Sequence, residues 1–150
     1  MKRAIEKKRV LFICTHNSSR SQMAEGLLNY LYGTHYEAYS AGTAPSMVNP
    51  YAIKVMREIG IDISNYRSKN IKEFRDRKFD YVVTVCDHAQ ETCPFYPGAL
   101  NYIHMGFRDP SAFIGNEDDT TMEFRQVRDE IKEWIEKRFG DLVEQANRGE

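Results

Sequence analysis

The sequence predicts an α/β protein built on a parallel sheet, and three observations carry that prediction. The apolar run Val10-Leu11-Phe12-Ile13 empties into a small polar loop that opens a helical pattern. The next segments continue the order to strand, helix, strand, helix, which calls for parallel strands joined by right-handed crossovers. Farther along, Tyr81-Val82-Val83-Thr84-Val85 is the clearest strand in the chain, rich in β-branched residues.

Each element has a local reason. Four consecutive apolar residues at Val10–Ile13 suit a strand covered on both faces. The first helix opens at Ser21, lines up Met23, Ala24, Leu27, Leu28 and Leu31 on one face, and stops at Gly33. Tyr36 to Ala41 alternates loosely and ends at Gly42, a second strand. Asn49-Pro50 is a cap followed by proline at the first helical position; Ala52, Val55, Met56 and Ile59 form the apolar face and Gly60 the stop. Residues 61–78 are charged and irregular, with one short helical stretch from Ser68 through Ile71 and Phe74. A short strand at Tyr102-Ile103-His104-Met105 leads into Gly106-Phe107-Arg108-Asp109-Pro110. After an acidic loop, Glu117-Asp118-Asp119, a capping box at Thr120 and Glu123 starts a long amphipathic helix through Phe124, Val127, Ile131, Trp134 and Ile135. Its Met, Phe and Trp residues belong to the core, and the tail from about Gln145 frays.

The chemistry concentrates at Cys14-Thr15-His16-Asn17-Ser18-Ser19-Arg20-Ser21. A loop between a buried strand and a helix N-terminus offers backbone N–H groups and the positive end of the helix dipole, which suits a tetrahedral oxyanion. Thr15 through Ser19 would line such a cradle, and Arg20 adds a fork able to grip two oxygens. The same field favours thiolate at Cys14, to which Ser21 can donate a hydrogen bond. In an open α/β sheet ligands bind at the C-terminal strand edge, which puts Cys86 and Asp109 near Cys14. Asp109 before a proline is either a turn residue or a general acid for a leaving oxygen. Cys86 and Cys93 are either unrelated or a redox pair. Two helical turns between them would separate their Cα atoms by about 10 Å, whereas a disulfide needs roughly 4.4–6.8 Å, so a helical segment would have to unwind for them to bond.

These motifs, with Tyr39-Ser40-Ala41-Gly42, Ile61-Asp62-Ile63-Ser64, Cys93-Pro94 and Phe124-Arg125-Gln126-Val127, resemble the thioredoxin-coupled arsenate reductases, which share the low-molecular-weight protein tyrosine phosphatase fold. The resemblance implies a three-layer sandwich with a central four-stranded parallel sheet flanked by helices. It also implies a thiol relay. Cys14 attacks arsenate held by the loop and Arg20 while Asp109 protonates the departing hydroxide. Cys86 then attacks the Cys14 adduct and expels arsenite; Cys93 resolves the Cys14–Cys86 bond, and thioredoxin reduces the product. Phosphate or sulfate would mimic the substrate. His16 stands where this fold often has Gly, and it, His88 and His104 are read as non-catalytic. Lys69 lies where some family members bind potassium through an Asp; it either supplies that charge as an ammonium or is a solvated lysine. Two rivals use the same loop: a tyrosine phosphatase, which typically follows its acid with Pro-Tyr where Ser111 stands here, and an oxyanion-binding redox sensor without turnover.

Composition narrows the classes. At 150 residues with 41% hydrophobic content, the chain is expected to form one domain over residues 1–150. A formal charge of −1 and a pI near 6.4 argue against nucleic acid or a membrane surface as partner. Three cysteines are neither a disulfide framework nor a zinc pattern, so no metal or cofactor is expected and a reducing cytoplasm fits. The basic start lacks the apolar core of a signal peptide, and no stretch is long enough to span a membrane. A monomer is expected.

Overall fold

The computed structural model describes residues 6–87 and 96–149. Strands β1 (Lys8–Cys14), β2 (Tyr36–Gly42), β3 (Phe79–Thr84) and β4 (Ala99–His104) form one sheet in the order β2-β1-β3-β4, every pair parallel. Helices α1 (Arg20–Tyr32), α2 (Pro50–Arg57) and α3 (Glu117–Asn147) are joined by two short 3₁₀ turns, Ile71–Phe74 and Pro110–Ala112. This is the three-layer α/β sandwich with a four-stranded parallel sheet that the sequence implies.

The layers follow from the period-two alternation of a strand. Val10, Phe12 and Cys14 of β1 and Val83 of β3 face one core with Met23, Leu27 and Leu28 of α1, Val55 and Met56 of α2, and Phe124, Val127, Ile131 and Phe139 of α3. Leu11, Ile13 and Val82 face the opposite core with Phe74, Phe79 and Tyr96. Tyr96 closes that second layer by donating its hydroxyl toward the carbonyls of Phe74 and Arg77, each at 2.5 Å. With β1 buried on both faces between β2 and β3, its C-terminal end is fixed laterally, and Cys14 with it.

Several local readings change. The cap of α3 is Asn116, whose Oδ1 accepts the Asp119 N–H at 2.8 Å, so Glu117, Asp118 and Asp119 are the first helical turn and not a loop. Asn is a strong cap and three acids favour the positive helix end, which outweighs the later Thr120/Glu123 pattern. Thr120 instead donates to the Asn116 carbonyl at 2.8 Å, and Glu123 pairs with Arg108. Met122 of α3 is exposed, and Trp134 is only half-buried. The helix continues past Gln145 to Asn147. The stretch from Ser68 is helical only as the 3₁₀ turn Ile71–Phe74, started by an Asn70/Glu73 capping box. Strand β4 begins three residues before Tyr102, taking in Ala99, Leu100 and Asn101, and ends at His104, one residue before Met105. Cys93 and most of the segment between it and Cys86 lie outside the described residues.

Candidate active site

The loop after β1 is held open by its surroundings. The carbonyl of Thr15 accepts from Ala44 N (3.0 Å), that of His16 from Ser46 N (3.3 Å) and Ser68 Oγ (2.9 Å), and that of Ser18 from Asn49 N (3.0 Å). Ser19 O accepts from Met23 N (2.9 Å), and Asn17 O from Gln22 Nε2 (3.1 Å). Every carbonyl from 15 to 19 is thus engaged with the scaffold, which removes the groups that would repel an anion. Gly42, at the end of the neighbouring strand, makes this close packing feasible: a Cβ there would lie 2.8 Å from Cys14 O and 2.9 Å from Asn17 N.

The concavity is a small pocket lined by Cys14, His16, Ser18, Ser19, Arg20, Asp109 and Ser111. Ser19 Oγ is buried there without a partner. Cys14 is a buried free thiol whose Sγ lies 2.8 Å from Ser21 Oγ. The polarity of that contact is set from behind. The Lys69 backbone N–H donates to Asn17 Oδ1 at 2.8 Å, so the Asn17 amide nitrogen faces Ser21 and donates to its Oγ at 2.8 Å. Ser21 therefore receives one hydrogen bond and has its own proton to give to the Cys14 sulfur. Asn17 adopts the left-handed region, φ 49°, to reach both groups.

Arg20, only 3% exposed, donates to the Phe107 carbonyl at 3.1 Å and lies 3.6 Å from Asp109 Oδ2. Asp109 caps the turn Pro110–Ala112, and its Oδ1 accepts from Ser111 N at 2.9 Å and Ser111 Oγ at 2.6 Å. Asp109 is thus both a turn residue and a wall of the pocket. His16 is tied to the rim, its ring Nδ1 against Ala44 O at 2.9 Å. A carbonyl only accepts, so Nδ1 carries the proton. Cys86 follows β3, which runs beside β1 with Thr84 opposite Ile13; its Sγ lies 3.7 Å from Ile13 O.

Beneath the loop, Lys69 Nζ donates to Arg67 O at 2.7 Å and lies 3.5 Å from Ser40 Oγ and 3.6 Å from Glu25 Oε1. Ser40 Oγ donates to Glu25 at 2.7 Å. Burial pushes the Glu25 carboxyl above its ordinary value, with Lys69 opposing, and burial pushes Lys69 below its own, with Glu25 opposing. The lysine is therefore an enclosed internal cation. Among the described residues no group of three or more His, Cys, Asp or Glu is placed to hold a metal, and no helix is long and apolar enough to cross a membrane.

The low molecular weight phosphotyrosine protein phosphatase family matches residues 9–148. This chain belongs to that family. Among its relatives, the arsenate reductase of Halalkalibacterium halodurans is 46% identical over 127 residues, 85% of this chain and 91% of that one. An arsenate reductase solved in the phosphate binding state superposes with a TM-score of 0.75 at 32% identity, covering 89% of this chain and 98% of that one. A thioredoxin-dependent arsenate reductase of Corynebacterium glutamicum gives 0.62 at 30%, covering 87% of this chain and 61% of that one.

In this family member the structure brings Cys14, Thr15 to Ser19, Arg20, Ser21 and Asp109 together and sets Cys86 at the next strand end. Cys93 lies outside the described residues. Sequence reasoning passed over Glu25, Ser40 and Gln22. The available signal was a pair of polar residues, Gln22 and Glu25, flanking Met23 and Ala24 on the buried first turns of the helix.

Proposed function

We propose that this protein reduces arsenate to arsenite. The observation that carries the reading is a free, hydrogen-bonded Cys14 thiol in an oxyanion-shaped loop, with Cys86 buried at the adjacent strand end, its Sγ 3.7 Å from Ile13 O. The Cys14 thiolate attacks arsenic(V), and the departing hydroxide leaves as water with a proton delivered through Asp109. Cys86 then attacks Cys14 Sγ; a disulfide forms, the sulfur–arsenic bond breaks, and its electron pair reduces arsenic to arsenite. Cys93 attacks Cys86, frees Cys14, and leaves a Cys86–Cys93 bond for thioredoxin to reduce. The thioredoxin-dependent relative supports the choice of reductant.

Residues 1–150 form one domain in this reading, which the family match over 9–148 supports, and the working environment is a reducing cytoplasm. Phosphatase action is the second reading, favoured by the shared Cys14, Arg20 and Asp109; Ser111 offers no aromatic clasp for a phenyl phosphate. The test is arsenite formed from arsenate with thioredoxin, thioredoxin reductase and NADPH, run beside hydrolysis of p-nitrophenyl phosphate. Sustained arsenite production in the wild type, and a single arsenite released by Cys93→Ser, are expected. Hydrolysis without arsenite, or oxidation without turnover, would refute the reading.

A further inference from the structure

Gln22 is fully buried one residue beyond Ser21, and the chemistry above leaves it without a role. Its Nε2 faces three oxygens: Asn17 O at 3.1 Å, Asn17 Oδ1 at 2.9 Å and Arg67 O at 2.9 Å. None of the three carries a proton, so the amide nitrogen has to face them. Oε1 is then turned to a place where it meets no donor among the described residues. Two amide protons serve three acceptors while a buried carbonyl oxygen stays unsatisfied, an arrangement that costs stability.

What the side chain holds is Asn17. That residue sits at φ 49°, the left-handed region that glycine enters freely and asparagine at some cost, and its amide directs the Ser21 proton toward Cys14. Gln22 grips Asn17 at both its backbone and its side-chain oxygen and ties it to the carbonyl of residue 67, whose other donor is the Lys69 ammonium. We infer that Gln22 is a positioning residue that clamps Asn17 in the left-handed conformation, and thereby sets the direction of the hydrogen bonds that reach the Cys14 sulfur. The clamp concerns the oxyanion loop itself and holds whichever oxyanion is the substrate.

Gln22→Met exchanges one orphaned oxygen, Gln22 Oε1, for another, the buried Asn17 carbonyl that loses its donor, so the melting temperature should move by only a few degrees. Two readouts need no arsenate. One is the rate of Cys14 alkylation by iodoacetamide across pH, read by mass spectrometry on the Cys14 peptide; the other is the affinity for inorganic phosphate by calorimetry. Each should fall about tenfold, the equivalent of roughly one hydrogen bond to a charged group. Gln22→Glu, which turns an acceptor toward three acceptors, should lower both at least as far. In an Asn17→Gly background the backbone reaches the left-handed region unaided, so Gln22→Met should there slow alkylation by less than about twofold. Unchanged alkylation and phosphate affinity in Gln22→Met, or an equal loss in both backgrounds, would overturn the inference and leave Gln22 a packing residue.

Discussion

Lys69→Met is the most informative single perturbation outside the thiols, because it removes a buried charge whose partner stays behind. The Lys69 and Glu25 side chains are 13% and 12% exposed with 3.6 Å between Nζ and Oε1. Deleting one member of such a pair typically costs about 3–5 kcal/mol. Two features of this site reduce that figure. The Ser40 hydroxyl remains as a donor to Glu25, and the carboxyl, already pushed up by burial, can escape its charge by taking a proton. We therefore expect a loss of about 2–4 kcal/mol at neutral pH, or roughly 4–16 °C in Tm at about 2–4 °C per kcal/mol for a chain of this size. Glu25→Gln combined with Lys69→Met should recover most of it, since replacing both members of a buried pair is often near neutral.

The pH dependence has a definite sign. A carboxyl raised above its ordinary value of 4.5 contributes stability that is fully present below that value and fades as pH rises through the folded value. Without Lys69 the Glu25 carboxyl is raised further, so the deficit of Lys69→Met should shrink as pH falls from neutral toward 4.5. Thermal melts followed by circular dichroism, in matched potassium and sodium salts, measure all of this. The wild type should melt equally in both, since a ligand stabilises by RT ln(1 + [L]/Kd) only where it has a site. A Lys69→Met variant as stable as wild type, a deficit that grows on acidification, or a potassium-specific rise in the wild type would refute the reasoning.

Cys14→Ser should abolish arsenate reduction while keeping phosphate affinity within a few-fold, read by calorimetry, because Ser21, Arg20 and the engaged loop carbonyls are untouched. Asp109→Asn should slow the chemical step by about 10²–10⁴ in single-turnover kinetics. An unchanged rate would reduce Asp109 to its role as the cap of its own turn. Gly42→Ala would set a methyl 2.8 Å from Cys14 O, among backbone atoms that cannot move aside. It should weaken phosphate binding by more than about tenfold, the loss of at least one well-placed donor.

What was legible in the sequence was what periodicity and adjacency record. Val10–Ile13 announced a strand buried on both faces, and the Cys14 to Ser21 loop announced its chemistry because its members are consecutive. Asp109 and Cys86 were placed by a rule about strand ends, and the sheet obeys it. The Asn116 cap was missed because a short acidic stretch reads as loop until the side chain that starts the helix is weighed against the later Thr120. Gln22, Glu25 and Ser40 were invisible for a different reason. Gln22 reaches the carbonyls of Asn17 and Arg67, 5 and 45 residues away, and Ser40 and Glu25 reach the Lys69 ammonium, at least 29 residues away, separations over which adjacency in sequence records nothing. The polarity that ends at the Cys14 sulfur begins at the backbone N–H of Lys69, a group whose identity the side chain does not reveal. A candidate nucleophile can thus be named from its neighbours in sequence, whereas the direction of the hydrogen bond its sulfur receives is decided by a segment folded against it from 52 residues beyond Asn17.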